Sequence, residues 1–223
     1  MLEKGARERI ARHFGRRWNY HYTGAKLRSD PVYAAMAARL KGTEAPLLDL
    51  GCGLGIFAFY LREAGFRPPI VGVDFDASKI GEAARIASGH YSDLQFSVMD
   101  LSEEFPRHCG SVSCIDILLY FPPERQRELL LAAAGAVAPG GLLLIRSGLR
   151  DRSLRFRITW MCDCFARLIR WMKSPPICVP EADEVVSLLR GVGLEGTFTP
   201  LWGRTPFNNH LGVFRKAAGP AER

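Results

Sequence analysis

The stretch "LLDLGCGLGIFAFYLREAG" (47–65) restricts this chain more than any other. Its leucine-rich opening reads as a buried strand, its three glycines at two-residue intervals as a tight turn, and the apolar run after them as a helix closed by Gly65. A strand that passes through glycines into a helix opens an α/β sheet, and such sheets bind ligands where their strands end. The spacing excludes two common ligands of that element. A dinucleotide fingerprint requires G-x-G-x-x-G, and Ile56 stands where its third glycine would be. A phosphate-binding P-loop requires Gly-Lys-Ser/Thr, which is absent here. Asp49, two residues before the first glycine, sets a carboxylate beside the turn, and that charge suits a cationic ligand better than a phosphate.

The pattern around this element predicts a doubly wound, mostly parallel α/β sheet of seven strands. Strands are expected near 46–50, 70–74, 94–98, 112–119 and 142–147, alternating with helices near 55–64, 77–88 and 122–137. After residue 175 a helix near 180–190 precedes strands near 194–201 and 207–214, whose short "WGRTP" joint makes them an antiparallel pair. The whole of 1–223 is one domain on this reading, with a helical cap at 1–42 and a helical lid inserted at 148–176. In the cap, Asp30, Pro31 and Gly42 punctuate one helix, while Ile10, Phe14 and Trp18 recur at four-residue spacing among arginines and suggest an amphipathic basic helix.

A net charge of +7 favours acidic partners: nucleic acid, an anionic membrane surface or an acidic carrier protein. No apolar run of about 18 residues and no secretory signal pattern is present, so a cytoplasmic protein is expected, with peripheral contact at the inner membrane face as the alternative. The six cysteines form no C-x-x-C pair and are read as reduced, mostly buried thiols. Cys162 and Cys164 lack a matching second pair or His cluster, so no metal site is expected.

The motif "DLGCGLG" (49–55) matches in full the D/E-x-G-x-G-x-G element of the class I S-adenosylmethionine-dependent methyltransferases, which the chain resembles over about residues 45–147. The resemblance implies S-adenosyl-L-methionine as cofactor. It also implies that Asp49, Gly51, Cys52, Gly53 and Gly55 form the cofactor turn and that Asp74, about 20 residues past the glycines, binds both ribose hydroxyls. Phe75 would lie against the adenine, and Asp100 would accept its amino group between Met99 and Leu101. Leu119 belongs to the same expected set, while Arg28, with Tyr22 and Lys26, would hold the methionine carboxylate on charge grounds. The acid at Asp116 is commonly structural in that family and is left out of the site. Tyr120 is a catalytic candidate because it stands at the carboxyl end of the fourth strand.

The acceptor side is expected from the lid and the last strand. Leu154, Ile158, Met161, Phe165, Leu168 and Met172 form a single helical stripe, with Phe156, Trp160 and Trp171 on a flank shared with arginines. Trp160 and Phe165, with Arg204, Asn208 and Asn209 from "GRTPFNNHLGVF", are the expected substrate contacts, and His210 is the candidate base. The function expected is methyl transfer to oxygen or carbon of a hydrophobic small molecule, aromatic, polyene or carrier-bound. "TPFNN" and the basic aromatic insertion carry a weaker resemblance to bacterial polyene-pigment and polyketide pathway methyltransferases. The alternatives are a lipid or quinone-precursor methyltransferase at a membrane surface and a non-catalytic cofactor-binding module. Nucleic-acid methylation at amino groups is disfavoured, because "LYFPP" stands where an Asn/Asp-Pro-Pro-Tyr tetrad would follow the fourth strand.

Overall fold

A computed structural model describes residues 2–151, 153–156, 177–203 and 207–217. Among them the cap supplies helices α1 (Lys4–Arg12), α2 (Arg17–Ser29) and α3 (Val32–Leu40). The sheet domain follows as β1 (Leu47–Leu50), α4 (Ile56–Glu63), β2 (Ile70–Asp74), α5 (Ala77–His90), β3 (Leu94–Val98), β4 (Ser111–Ile115), a 3-10 turn (Leu118–Tyr120), α6 (Pro123–Ala136) and β5 (Leu142–Gly148). Helix α7 (Ala182–Arg190), β6 (Leu194–Pro200) and β7 (Asn209–Lys216) complete it. The seven strands lie in the order β3-β2-β1-β4-β5-β7-β6, and β7 alone runs antiparallel to its neighbours. The order reverses at β1, so the crevice for a ligand opens where β1 and β4 part.

Strand periodicity divides the core between the two faces of the sheet. Leu47, Leu142 and Leu144 join the layer beneath α3 and α4, while Leu48, Leu50, Leu143 and Ile145 join the layer beneath α6 and α7. Helix α4 is buried on all sides from Ile56 to Arg62, since the sheet holds one face and the cap the other. Phe59 sits at its centre with no exposed surface, its ring against Phe14, Tyr91 and Phe96. The buried Arg62 is satisfied by backbone: its guanidinium donates to the carbonyls of Phe66, Pro68, Ser92 and Asp93. Those bonds pin the loops that enter β2 and β3.

Three expectations differ from the fold. The fourth strand ends at Ile115 rather than near 119, because Asp116 takes φ +57 and donates its N–H to the Arg146 carbonyl, which turns the chain into the 3-10 segment. The Ile10–Phe14–Trp18 stripe is not one helix: α1 ends at Arg12, and Trp18, in α2, points outward with 59% exposure while Ile10 and Phe14 are buried. Of the four described cysteines only Cys114 is fully buried, and all four are free thiols. The lid stripe lies outside the described residues beyond Leu154, as do Cys162 and Cys164. Phe59→Ala should destabilise the chain by about 3–5 kcal/mol, read as a lower midpoint in urea with an unchanged slope.

Candidate active site

Three glycines shape the turn after β1. Gly51, Gly53 and Gly55 have φ of +68, +53 and +72, a region that side chains adopt only at a cost. A methyl group on Gly51 would stand 2.1 Å from Ile117 Cγ2, so the turn also lies too close to the β4 end to carry one. Asp74 holds this geometry from β2. Its Oδ2 accepts the Gly53 N–H at 2.9 Å and its Oδ1 accepts the Asp76 N–H at 2.9 Å. Asp76 in turn caps α5 by accepting the N–H groups of Ser78 and Lys79.

These elements line a cavity of about 1060 Å³, at the upper end of the range for small-molecule sites. One wall carries Asp49, Gly51, Cys52, Gly53, Asp74, Phe75, Met99, Asp100 and Leu101, from the ends of β1, β2 and β3. The opposite side is roofed by α2 through Arg16, Trp18, Asn19, Tyr22 and Lys26, and closed by Asp116, Tyr120, Phe121 and Phe207. Burial pushes the Asp49 carboxyl up to about 7; a 2.6 Å hydrogen bond from the Ser113 hydroxyl opposes that rise and the neighbouring Asp74 adds to it. Burial likewise keeps the Cys52 thiol protonated, reinforced by Asp49 and Asp74. Asp100 is held below the usual carboxylate range by hydrogen bonds from Ser102.

The methyltransferase-domain family model matches residues 20–197. The chain belongs to this methyltransferase-domain family. In sequence the domain is 27% identical over 111 residues to the ubiquinone biosynthesis O-methyltransferase of Xanthomonas euvesicatoria pv. vesicatoria, covering 49% of this chain and 46% of that protein. The chain spans less than half the length of the curated relatives it matches. In fold it is similar to the magnesium protoporphyrin IX methyltransferase of Synechocystis PCC 6803, solved with bound SAH: TM-score 0.65 at 16% identity, over 96% of this chain and 95% of that one. The pyocyanin biosynthetic protein PhzM gives a TM-score of 0.67 at 18% identity, over 91% of this chain and 58% of that one.

The residues of this cavity fit the S-adenosylmethionine expected from the glycine motif. The glycine turn presents backbone without side chains, Asp74 uses one lone pair of each oxygen on backbone and keeps others for hydroxyls, and the Phe75 ring is 58% exposed on the cavity wall. The residues expected at the cofactor that line this cavity are Asp49, Gly51, Cys52, Gly53, Asp74, Phe75, Met99, Asp100 and Leu101. Gly55 stands behind them at the start of α4, packed on Phe96 and Ala83.

Other expected residues lie elsewhere. Arg28 is exposed on α2 and does not line the cavity, for it is two residues past Lys26 and so about 200° round the helix. Leu119 is spent in the 3-10 turn, where its carbonyl accepts the N–H groups of Ile177 and Cys178. Asn208 donates to the Leu149 carbonyl and to Asp151 Oδ2, which ties the entry of β7 to the segment after β5; Asn209 is buried opposite Gly148. His210, in β7, pairs with Ser147 of β5; its Nδ1 is 3.1 Å from the Asn208 carbonyl, its ring is edge-on to Trp202, and it is not among the cavity-lining residues. Trp160, Phe165 and Arg204 lie outside the described residues.

Sequence reasoning left Asp116 out of the site; of the α2 roof it singled out Tyr22 and Lys26, which line the cavity, but not Arg16, Trp18 or Asn19. Asp116 lines the cavity and also pairs with the buried Arg146, which pairs with Asp30 at 3.3 Å, which pairs with Lys26 at 3.3 Å. An arginine within a buried strand is the one signal in the sequence that such a chain of charges was needed. The raised Asp49 carboxyl makes a testable statement about stability. A native carboxyl that titrates above its unfolded value stabilises the fold below about pH 4 and loses that contribution as pH climbs through 7. The rise corresponds to at most roughly 4 kcal/mol. Asp49→Asn should therefore gain stability relative to the wild type at pH 8 and keep only about a third of that advantage at pH 5, in thermal melts across the range.

Proposed function

We propose that the chain transfers the methyl group of S-adenosylmethionine to an oxygen, or to an activated ring carbon, of a hydrophobic small molecule. The observation that carries this reading is one cavity lined both by the acidic glycine turn, through Asp49, Gly51, Gly53 and Asp74, and by the aromatic rings of Trp18, Tyr120, Phe121 and Phe207. The likeness to ubiquinone biosynthesis O-methyltransferases supports oxygen as the acceptor atom and a ring-bearing acceptor.

When bound, the cofactor supplies a methyl group on a sulfonium, whose positive charge disappears on transfer. The protein's part is to bind, orient and exclude water. In this reading Asp74 accepts from the ribose hydroxyls, Phe75 lies on the adenine face, and Asp100 gives up a Ser102 contact to accept from the adenine amino group. Met99 and Leu101 wall the base, and Tyr22 and Lys26 hold the carboxylate end. The Tyr120 hydroxyl orients the acceptor's nucleophilic oxygen, and the carboxylate of Asp116 on the same wall receives its proton. His210 takes no part in this scheme, since its ring is engaged with the Asn208 carbonyl and Trp202 away from the cavity.

Two measurements test the proposal. Asp74→Ala should weaken S-adenosylmethionine binding by about 2 kcal/mol in calorimetry, through loss of hydrogen bonds to a charged acceptor; unchanged affinity would remove Asp74 from the site. Tyr120→Phe should lower kcat on phenolic and quinol acceptors by tenfold or more while cofactor affinity holds. A turnover equal to wild type would return Tyr120 to packing.

A further inference from the structure

The net charge of the chain is concentrated in one place. Residues 1–29 carry eight Lys and Arg against two Glu, which leaves only one net charge for the remainder of the +7. Within this segment the cations of α1 are largely paired, Lys4 and Arg12 with Glu8 and Arg9 with Glu63. Among the described residues Arg16, Arg17 and Arg28, at the start and end of α2, have no ion-pair partner.

The faces of α2 divide cleanly at about 100° per residue. Asn19, Thr23 and Leu27 turn inward, and Thr23 and Leu27 are buried. On the outer face Arg17, His21 and Arg28 fall within one narrow strip. Trp18 and Tyr22, one turn apart, form the next strip, 59% and 38% exposed, and both also line the cavity rim. Tyr20, at the edge, is 39% exposed. A helix that shows an indole and two phenols beside unpaired guanidiniums is the composition that settles at a membrane interface, where amphipathic rings sit at headgroup depth and arginines meet anionic lipid. A nucleic acid or an acidic protein would answer the charge but leave the exposed indole unexplained.

We propose that α2 docks the protein on an anionic lipid surface, with the Trp18–Tyr22 rim turned to the bilayer so that the cavity draws its acceptor from the lipid phase. This deepens, and rests on, the reading of the acceptor as a hydrophobic molecule. No helix of the described residues is long and apolar enough to span a membrane, and the contact proposed is a peripheral one.

The test is cosedimentation of the full chain with phosphatidylcholine vesicles and with vesicles that also contain phosphatidylglycerol, at about 0.1 M salt. Binding should require the anionic lipid, fade at high salt and shift Trp emission to the blue. The double variant R17E/R28E should bind at least tenfold more weakly, and Trp18→Ala should lose part of the emission shift, each with a wild-type circular dichroism spectrum. Should the double variant not fold, Arg17→Gln alone carries the same test with a smaller loss. Absence of binding, equal binding to neutral vesicles, or variants that bind as well as wild type would overturn the proposal. Tighter binding to poly-L-glutamate than to the vesicles would give the face to an acidic protein and overturn it too. Sedimentation needs neither cofactor nor acceptor, so an inactive chain that still binds vesicles would count against the proposed reaction alone.

Discussion

The hydrogen bond from the Gly53 N–H to Asp74 holds the architecture of this site together. A left-handed backbone repeated at three glycines has no internal reason to stay in one conformation, and glycine loses more freedom on folding than any other residue. A carboxylate from the neighbouring strand removes that freedom. The same side chain bonds the Asp76 N–H, and Asp76 caps α5, so the turn, the end of β2 and the start of the next helix are set as one unit. Close approach of Gly51 to Ile117 carries the constraint across to the end of β4.

Two carboxylates, Asp49 and Asp74, then lie beneath a turn that offers no cation of its own. Asp49 responds by holding its proton more tightly, and Ser113 offsets only part of the burial cost. Lys79, whose stem lies beside Gly53, is the cation nearest the turn among the described cavity-lining residues. The pair of acids is the physical counterpart of the glycine spacing, which left no room for a pyrophosphate-binding turn.

The cap is held over the cavity by charge as well as by apolar packing. Arg146 reaches from β5 to Asp116 on one side and to Asp30 on the other, and Asp30 also receives Lys26. Burial lowers the guanidinium's affinity for its proton, and Asp30, Tyr33 and Tyr22 offset only part of that loss. Helix α2 is thereby tied to the sheet's ligand-binding edge, and its inner face becomes a roof while its outer face keeps its arginines and aromatic rings. One helix thus serves both the cavity and the surface beside it.

Sequence alone determined the sheet, its order of elements, the reversed last strand and the glycine turn with its acids. Each of these rests on local signals: hydrophobic period, turn glycines, and acids placed at strand ends. What local signals could not carry was decided by tertiary contact. The break at Asp116 depends on Arg146 thirty residues later; the outward turn of Trp18 depends on where α1 stops against α4; and His210 faces Asn208 and Trp202 because of how β7 meets β5. Arg28 and Lys26 are two residues apart in the chain, yet only the docking of α2, against α1 and through Lys26, Asp30 and Arg146, decides that Lys26 lines the cavity and Arg28 does not. Side-chain direction at a shared cavity is a property of how elements dock, and no period within one element encodes it.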